Sequence, residues 1–361
     1  MVFVVRADLE RLGSGIFQAL GIPPEEADDC GQILVAADAR GIKSHGLARI
    51  KRYADGITAG LIKGGVVPRV LHETPCSLVL DAEGAMGLSL SKRAMERVIA
   101  KAQEQGMALC SVRNSNHFGI AGFYAEMAAR RDMIGIAMTN TAALGVPAFA
   151  RKAMFGTNPI AFAAPGLGGT LFSLDMATTT VPRGKIEVYQ RAGKELPPGW
   201  AVGSNGLTTL DPLSLLDDLL HQRGGGLLPL GGAGETLGGH KGYGLAVLVD
   251  IMCALTSGGV FGEAVRDSEL TSARVCHCFM AIRLDILRPP EEFKRDLSRM
   301  LHDLRSLEPA EGADRVYYPG LKEQEAEALS NRRGVPLEEG LWQHIKTLAE
   351  SLGVAIPSVT G

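Results

Sequence analysis

The apolar and polar positions divide the chain into a helical opening, a long middle in which helices and strands alternate, and a helical close. Residues 7–20, from Ala7-Asp8-Leu9-Glu10-Arg11-Leu12 onward, predict a short helix. Gly21-Ile22-Pro23-Pro24-Glu25-Glu26 restarts a second one. Proline suits a first turn, where an N–H would go unpaired anyway, and the two acids suit the positive N-terminal end. This helix runs to about Arg40 and breaks at Gly41. A third is expected from Ser44 to about Tyr53, with the Ser44 hydroxyl as its N-cap.

Beyond Gly64-Gly65 the pattern changes. Cys76–Leu80, Ala108–Val112, Ile134–Met138, Ile160–Ala163 and Leu171–Met176 predict strands, and Leu88–Gln105 and Ala121–Arg131 predict helices between them. Such alternation implies an α/β layer architecture. Several strands run into polar residues: Asn116-His117, Thr139-Asn140-Thr141 and Asp175. Ligands gather at strand ends in open sheets with helices on their faces. Val181–Pro212 is irregular and rich in Gly, Pro, Lys and Arg, and a loop that long is normally functional or laid across another subunit. After it come a short helix at Pro212–His221, an apolar helix from about Leu245 to Thr256 and a strand near Cys278–Ile282. Helices at Pro290–Leu307, Leu321–Arg333 and Leu337–Leu352 follow. The division expected is a helical domain of residues 1–75 with 320–361, and a mixed α/β domain of residues 76–319.

Composition narrows the class. The chain has 361 residues, enough for a sizeable core, and is 46% hydrophobic and 21% charged, as soluble globular proteins are. Thirty-seven basic against 40 acidic side chains give a net charge of −3 with no long run of either sign, so no nucleic acid or acidic membrane is expected as a partner. The longest apolar run, Leu245–Leu255, carries Asp250 and falls short of the roughly 20 residues a membrane span needs. The six scattered cysteines have no disulfide-like spacing and the opening segment is too short for a signal peptide, so the expected location is the cytoplasm. Glycine is the outlier: 45 residues, against a usual share of about 7%, clustered in motifs rather than linkers.

Candidate chemistry centres on Ser44-His45-Gly46-Leu47-Ala48-Arg49. In a helix His45 and Arg49 would share one face near the positive end. They would set a proton donor of near-neutral pKa beside a planar fork that grips a carboxylate. The plain alternative is a capping serine, a surface histidine and a solvated arginine. His117 and Asp175 have similar alternatives, a satisfied turn residue and a cap. The run Gly231-Gly232-Ala233-Gly234-Glu235-Thr236-Leu237-Gly238 is a poor dinucleotide fingerprint: its last spacing is one residue too long and no clear strand precedes it. It opens a helix beside His240 and Lys241, which suits either a phosphate or tight packing. Cys276-His277-Cys278 has no second ligand pair nearby, and no metal is expected. No G-x-S-x-G nucleophile elbow is present.

Six motifs in order carry a resemblance: Asp38-x-Arg40-Gly41-x-x-Ser44-His45-Gly46-x-x-Arg49, Asn114–Gly119, Gly156-Thr157-Asn158-Pro159-Ile160-Ala161-Phe162, Asp175-Met176-Ala177-Thr178, Arg183-Gly184-Lys185 and Gly239-His240-Lys241-Gly242-Tyr243-Gly244. Together they resemble the malate/L-lactate dehydrogenase family of NAD(P)-dependent 2-hydroxyacid and ketimine reductases. The resemblance implies a non-Rossmann fold with a mixed, largely antiparallel sheet, flanking helices and a helical terminal part, assembled as a homodimer. It implies NAD, or NADP, as cofactor and a small 2-hydroxy or 2-oxo acid as substrate, malate or a lactate-like acid. By the same resemblance His45 is the acid/base, Ser44 orients it, and Arg49 holds the substrate carboxylate. His117, Thr141, Asp175, Met176, Ala177 and Lys241 match positions lining the cofactor or substrate site. Lys185 stands where some imine-reducing members carry an acidic relay, which leans toward keto acids. Three departures from the family pattern are visible: Pro319-Gly320-Leu321 where Pro-Gly-Glu is common, a longer Ser214–Gly226, and an atypical Leu270–Leu287. The alternatives are a reductase of cyclic imino acids and a non-catalytic descendant that binds a ligand.

Overall fold

A computed structural model describes residues 1–267 and 272–359. Residues 268–271, which include the start of the atypical segment at Leu270, lie outside the described residues, as do 360 and 361.

The chain opens with β1 (Val2–Val4), α1 (Arg6–Ala19) and α2 (Pro24–Ala39). Helix α2 is buried along most of its length. Two glycines let α1 and α2 cross at backbone contact: a Cβ on Gly31 would lie 2.6 Å from the Glu10 carbonyl oxygen. A short 3-10 turn, Leu47–Arg49, leads into α3 (Ile50–Thr58).

This corrects one expectation. Ser44 caps no helix, because the helical backbone begins at Ile50 rather than after Ser44. A side chain from α2 sets the loop instead: the Leu47 amide donates to Asp38 Oδ2 at 2.8 Å. Gly46 is required there, since a Cβ would lie 2.1 Å from Asp38 Oδ1.

The middle of the chain supplies β2 (Arg69–Glu73), β3 (Ser77–Asp81), α4 (Gly87–Gln105), β4 (Met107–Ser115), α5 (Ala121–Ala129), β5 (Met133–Thr139), β6 (Ile160–Pro165) and β7 (Leu171–Met176). Next come α6 (Arg183–Arg191), β8 (Ala201–Val202), α7 (Pro212–Leu220), β9 (Gly226–Leu227) and α8 (Gly239–Asp250), which continues into a π-turn at Ile251–Leu255. The close is β10 (Val275–Arg283), α9 (Pro290–Arg305), α10 (Leu321–Arg333), β11 (Val335–Leu337) and α11 (Glu339–Ser351). Seven strands form the main sheet in the order β2-β3-β4-β10-β5-β6-β7. Only β3 and β4 run parallel; every other neighbouring pair is antiparallel. This is a mixed, largely antiparallel sheet and not a doubly wound Rossmann layer.

Strand β10 shows how the alternation of a strand divides the core. Cys276 and Cys278 face a cluster with Met138, Val249 and Cys253 under α8. His277 faces the opposite layer, its ring stacked on Phe118 at 4.7 Å, beside Tyr124 and Phe279. That side, against α4 and α5, holds the large core. Burying each aromatic or leucine there stabilises the fold by roughly 1.5–3 kcal/mol.

The termini are tied to each other and to the sheet. β1 pairs antiparallel with β11, and Arg6 Nη1 meets Glu327 of α10 at 2.8 Å. Arg40, at the end of α2, is buried between Glu126 of α5 at 2.7 Å and Glu327 at 3.1 Å. The edge strand β2 precedes residue 75, so the sheet starts inside the segment assigned to the helical unit.

Three further elements depart from expectation. Helix α6 occupies part of the stretch expected to be irregular; it buries only Ile186, so it carries little apolar periodicity. With α7, β8 and β9 it surrounds a small separate core of Val181, Ile186, Leu196, Ala201, Leu215 and Leu227. Helix α8 starts at Gly239, not near Leu245, and its early glycines pack backbone on backbone. A Cβ on Gly239 would lie 1.9 Å from the Gly232 oxygen, and one on Gly242 2.3 Å from the Leu230 oxygen. Among the described residues no helix is long and apolar enough to cross a membrane.

Candidate active site

A cleft of about 1070 Å³ lies between the α2–α3 loop, the carboxyl ends of β4 and β5, strand β7 and the start of α10. Ser44, His45, Arg49, His117, Thr141, Asp175 and Ala177 all line it. Met176 and Lys241 do not: Met176 ends β7 with its side chain off the lining, and Lys241 is exposed in the first turn of α8. Lys185 also points elsewhere, its ammonium 5.4 Å over the Trp200 ring.

The loop places its chemistry through short-range contacts. Ser44 Oγ is 2.8 Å from His45 Nδ1; with Nδ1–H donating to that hydroxyl, Nε2 is the nitrogen that takes and gives a proton. Arg49 turns back so that its Nε donates to the Ser44 carbonyl at 2.7 Å. Among the described residues its two terminal nitrogens make no hydrogen bond and no ion pair, and the acidic charge acting on it is that of Glu187. Burial, with help from Arg49 and Arg52, pushes His45 down to about 4 from 6.5. The imidazole is therefore neutral at pH 7, ready to accept a proton.

His117 is a second, differently fixed imidazole. Its Nδ1 accepts from the Gly119 amide at 3.3 Å, so that nitrogen carries no hydrogen. Tyr53, 2.6 Å from the same nitrogen, must then be donating. Burial pushes the Tyr53 phenol above its ordinary value, which keeps that hydrogen in place. Nε2 of His117 is thus an N–H donor. Burial holds His117 well below the usual histidine range, so it stays neutral. The His45 and His117 rings stack at 5.5 Å and 20°.

The far wall is built on β5 and β7. Thr141 Oγ1 accepts from the Thr157 amide at 3.0 Å, and Gly156 is needed beside it because a Cβ would lie 2.1 Å from that oxygen. Asp175 Oδ2 accepts from the Gly122 amide in the first turn of α5 at 2.7 Å. Its carboxylate is open to the cleft on one side, and the protein enclosing the rest raises it to about 6.

Sequence reasoning singled out neither Arg52 nor Tyr53 as a site residue. Arg52 lines the cleft three positions after Arg49, a spacing visible in the sequence that also reads as a solvated helix face. Tyr53 reads as core, and only its hydrogen bond to His117 gives it a role.

The chain is 41% identical over 339 residues to a malate dehydrogenase of Pyrococcus abyssi, covering 94% of this chain and 92% of that one. It is 34% identical over 343 residues to an L-sulfolactate dehydrogenase of Methanocaldococcus jannaschii, covering 94% of each. The crystal structure of malate dehydrogenase from Entamoeba histolytica superposes with a TM-score of 0.94 at 32% identity, over 99% of both chains. Fold, cleft and relatives define an oxidoreductase acting on CH–OH donors. The sequence model described as malate/L-lactate dehydrogenase matches residues 4–346, and the chain belongs to that family.

Proposed function

We propose that this chain is an NAD-dependent dehydrogenase interconverting malate, or a closely similar short 2-hydroxy acid, and its 2-oxo acid. The observation that carries the reading is a guanidinium with no ion-pair partner among the described residues beside a neutral imidazole in one cleft.

The residues divide the work. Arg49 grips the substrate carboxylate through its free nitrogens, in two parallel hydrogen bonds that fix the substrate's rotation. In oxidation, Nε2 of His45 takes the hydroxyl proton while Ser44 holds the ring through Nδ1. In reduction it returns that proton to the carbonyl oxygen. The Nε2–H of His117 is positioned to donate to the same oxygen as negative charge builds there. The substrate's own charge assists: an anion at Arg49 offsets a cation that holds the imidazole down, so His45 becomes easier to protonate once the acid is bound.

The cleft fits a nicotinamide dinucleotide beside a small acid. Its volume is at the upper end of the roughly 300–1,000 Å³ of ordinary ligand sites. Thr141, Asp175 and Ala177 supply donors and acceptors for the amide and ribose, His117 borders them with its N–H turned to the substrate, and Met176 lies between Asp175 and Ala177 in sequence. Lys241 is assigned to the cofactor's phosphates on motif resemblance alone. When bound, the nicotinamide takes or supplies the hydride. NADP is the alternative form.

A homodimer is part of the reading. Leu248, Ile251 and Leu255 stand exposed on successive turns of α8 and its π-turn, as a face awaiting a second copy would.

The test is a panel of 2-oxo acids and one cyclic imino acid, each with NADH and with NADPH, followed by loss of the reduced cofactor's absorbance. Turnover of oxaloacetate or pyruvate supports the reading. Turnover of the imino acid alone, or of nothing, overturns it.

A further inference from the structure

We propose that Asp250, a carboxylate buried outside the cleft, is a positioning residue that holds the Thr141 wall in the shape that seats the cofactor. The inference rests on the dehydrogenase reading and deepens it by naming what fixes that wall.

Asp250 ends α8 directly before the π-turn, an insertion in the helical ladder often found beside functional sites. It is 6% exposed. Its neighbours Val249 and Cys253 pack in an apolar cluster with Met138, Cys276 and Cys278. No cation answers its charge: among the described residues Asp250 makes no ion pair, and the groups acting on it are the side-chain amides of Asn140 and Asn158. A carboxylate in apolar surroundings is costly unless it is paired. Burial pushes Asp250 up, and the two amides hold it down against that. An apolar side chain would be the ordinary occupant of this helix face, so the carboxylate needs a reason.

The two asparagines supply it. Asn140 Oδ1 accepts from the Cys276 amide at 2.8 Å, which fixes which end of its side chain is oxygen and which is nitrogen. Its Nδ2 then donates to Asp250 Oδ1 and to the Val260 carbonyl, both at 3.0 Å. Asn158 is oriented in the same way: its Oδ1 accepts from the Thr141 amide at 3.3 Å, and its Nδ2 donates to the Ala246 carbonyl at 3.0 Å. Both asparagines are 0% exposed. Two side-chain amides thus act on position 250 as donors. An ionised carboxylate accepts from both, whereas an asparagine there would turn an NH2 of its own toward one of them.

Both asparagines are joined to the cleft. Asn140 is followed by Thr141, and Asn158 lies between Thr157 and Pro159; all three of those neighbours line the cleft. They stand at the adjoining ends of β5 and β6, where Met138 pairs with Ile160. Beyond that pair side chains hold the two ends together: the Thr157 amide donates to Thr141 Oγ1, and the Thr141 amide to Asn158 Oδ1. Asp250 and the Ala246 carbonyl then tie both asparagines to α8. Without the carboxylate each asparagine keeps an N–H with no acceptor, and the Thr141 wall shifts with the strand ends. Arg49 stands on the α2–α3 loop across the cleft and makes no contact with this network. The loss therefore falls on the cofactor and spares the acid.

The experiment titrates NADH, or NADPH where the wild type takes that form, by the cofactor's fluorescence. It compares the intact enzyme with its Asp250→Asn, Asp250→Ser and Asp250→Glu variants, beside thermal melts and the KM of the 2-oxo acid at saturating cofactor. Asp250→Asn is expected to raise the cofactor Kd about tenfold, the worth of one charged hydrogen bond, with the acid's KM within about threefold of wild type. Asp250→Glu keeps the acceptor oxygens and is expected to recover part of the loss. Asp250→Ser puts no second NH2 against the asparagines and carries the same test if Asp250→Asn does not fold. A folded Asn or Ser variant that binds the cofactor within about twofold of wild type overturns the inference and leaves the dehydrogenase reading standing, whatever its melting temperature. So does a rise in the acid's KM equal to that in the cofactor Kd, since the effect would then belong to the whole cleft. A wild type that binds neither cofactor overturns the dehydrogenase reading itself.

Discussion

Two glycine-containing stretches suggest ligand chemistry in the sequence, and the structure gives them different work. The loop from Asp38 to Arg49 is spread against the cleft, with Gly46 there to let a buried carboxylate approach. Ser44, His45 and Arg49 on it line the open cleft. The run from Gly231 to Gly244 folds onto itself: Gly239 lies against Gly232 and Gly242 against Leu230, at distances a Cβ would not allow. Its glycines let backbone pack on backbone at the start of α8. Glycine density alone therefore says that backbones are close, not what they are close to. A stretch is marked as a site by titratable groups held by short local contacts and left without partners.

Several measurements would break or sharpen that contrast. The largest effect is expected in the first stretch. His45→Ala should lower kcat by about 10²–10⁴, the usual span for a positioned acid/base, with the melting temperature little changed. Steady-state kinetics beside a thermal melt checks this.

A matched pair of small substitutions comes next. Gly46→Ala drives a methyl into the Asp38 carboxylate, 2.1 Å away, and moves the loop that carries His45. A displacement of about 1 Å can cost up to about 10²-fold in rate, so kcat should fall at least tenfold. Gly242→Ala meets the Leu230 backbone at 2.3 Å and should cost about 1–3 kcal/mol of stability. Its kcat per folded molecule should stay near wild type. Urea melts and active-site-normalised rates on both variants decide it. Equal kinetic damage at the two glycines would erase the contrast.

The last effect is read only as a pH dependence of stability and concerns how the loop is anchored. Burial raises Asp38 from 3.8 to about 7. A carboxyl with a raised folded pKa adds stability below its unfolded pKa and loses it as pH rises through the folded one. Asp38 should therefore cost the wild type up to about 1.4 kcal/mol per pH unit between about pH 4 and 7. Asn does not titrate and still offers an oxygen to the Leu47 amide. Asp38→Asn should thus gain on wild type across that window and run parallel to it above. Urea midpoints at several pH values read this out, and a gap that does not move with pH would place the Asp38 pKa elsewhere.

Much of this was legible in the sequence where the signal is local. The strands at 77–81, 107–115 and 171–176 and the helices α1, α2, α4 and α5 fall close to where the residue pattern puts them. Thr141 and Asp175 are found where strand ends meet the cleft. His45 and Arg49 were found through their motif. The helix invoked to bring them together does not exist: the Leu47 amide donates to a side chain on α2, and α3 starts only at Ile50. No local pattern reports such a tertiary contact. The β1–β11 pair was missed for the same kind of reason: two three-residue strands from opposite ends of the chain carry no periodicity of their own. Arg52 escaped notice because an arginine on a helix start ordinarily faces water.

The central claim is that a half-buried, neutral imidazole at His45 exchanges the reaction's proton. The most direct test is kcat/KM for hydroxy-acid oxidation from acid to neutral pH, taken as the ratio of wild type to His45→Ala. The ratio cancels the substrate's own ionisation. The account predicts that it climbs with pH through about 4 and is flat above, since burial holds His45 there instead of at 6.5. A ratio that does not change with pH, or one that turns at 6.5, would contradict it.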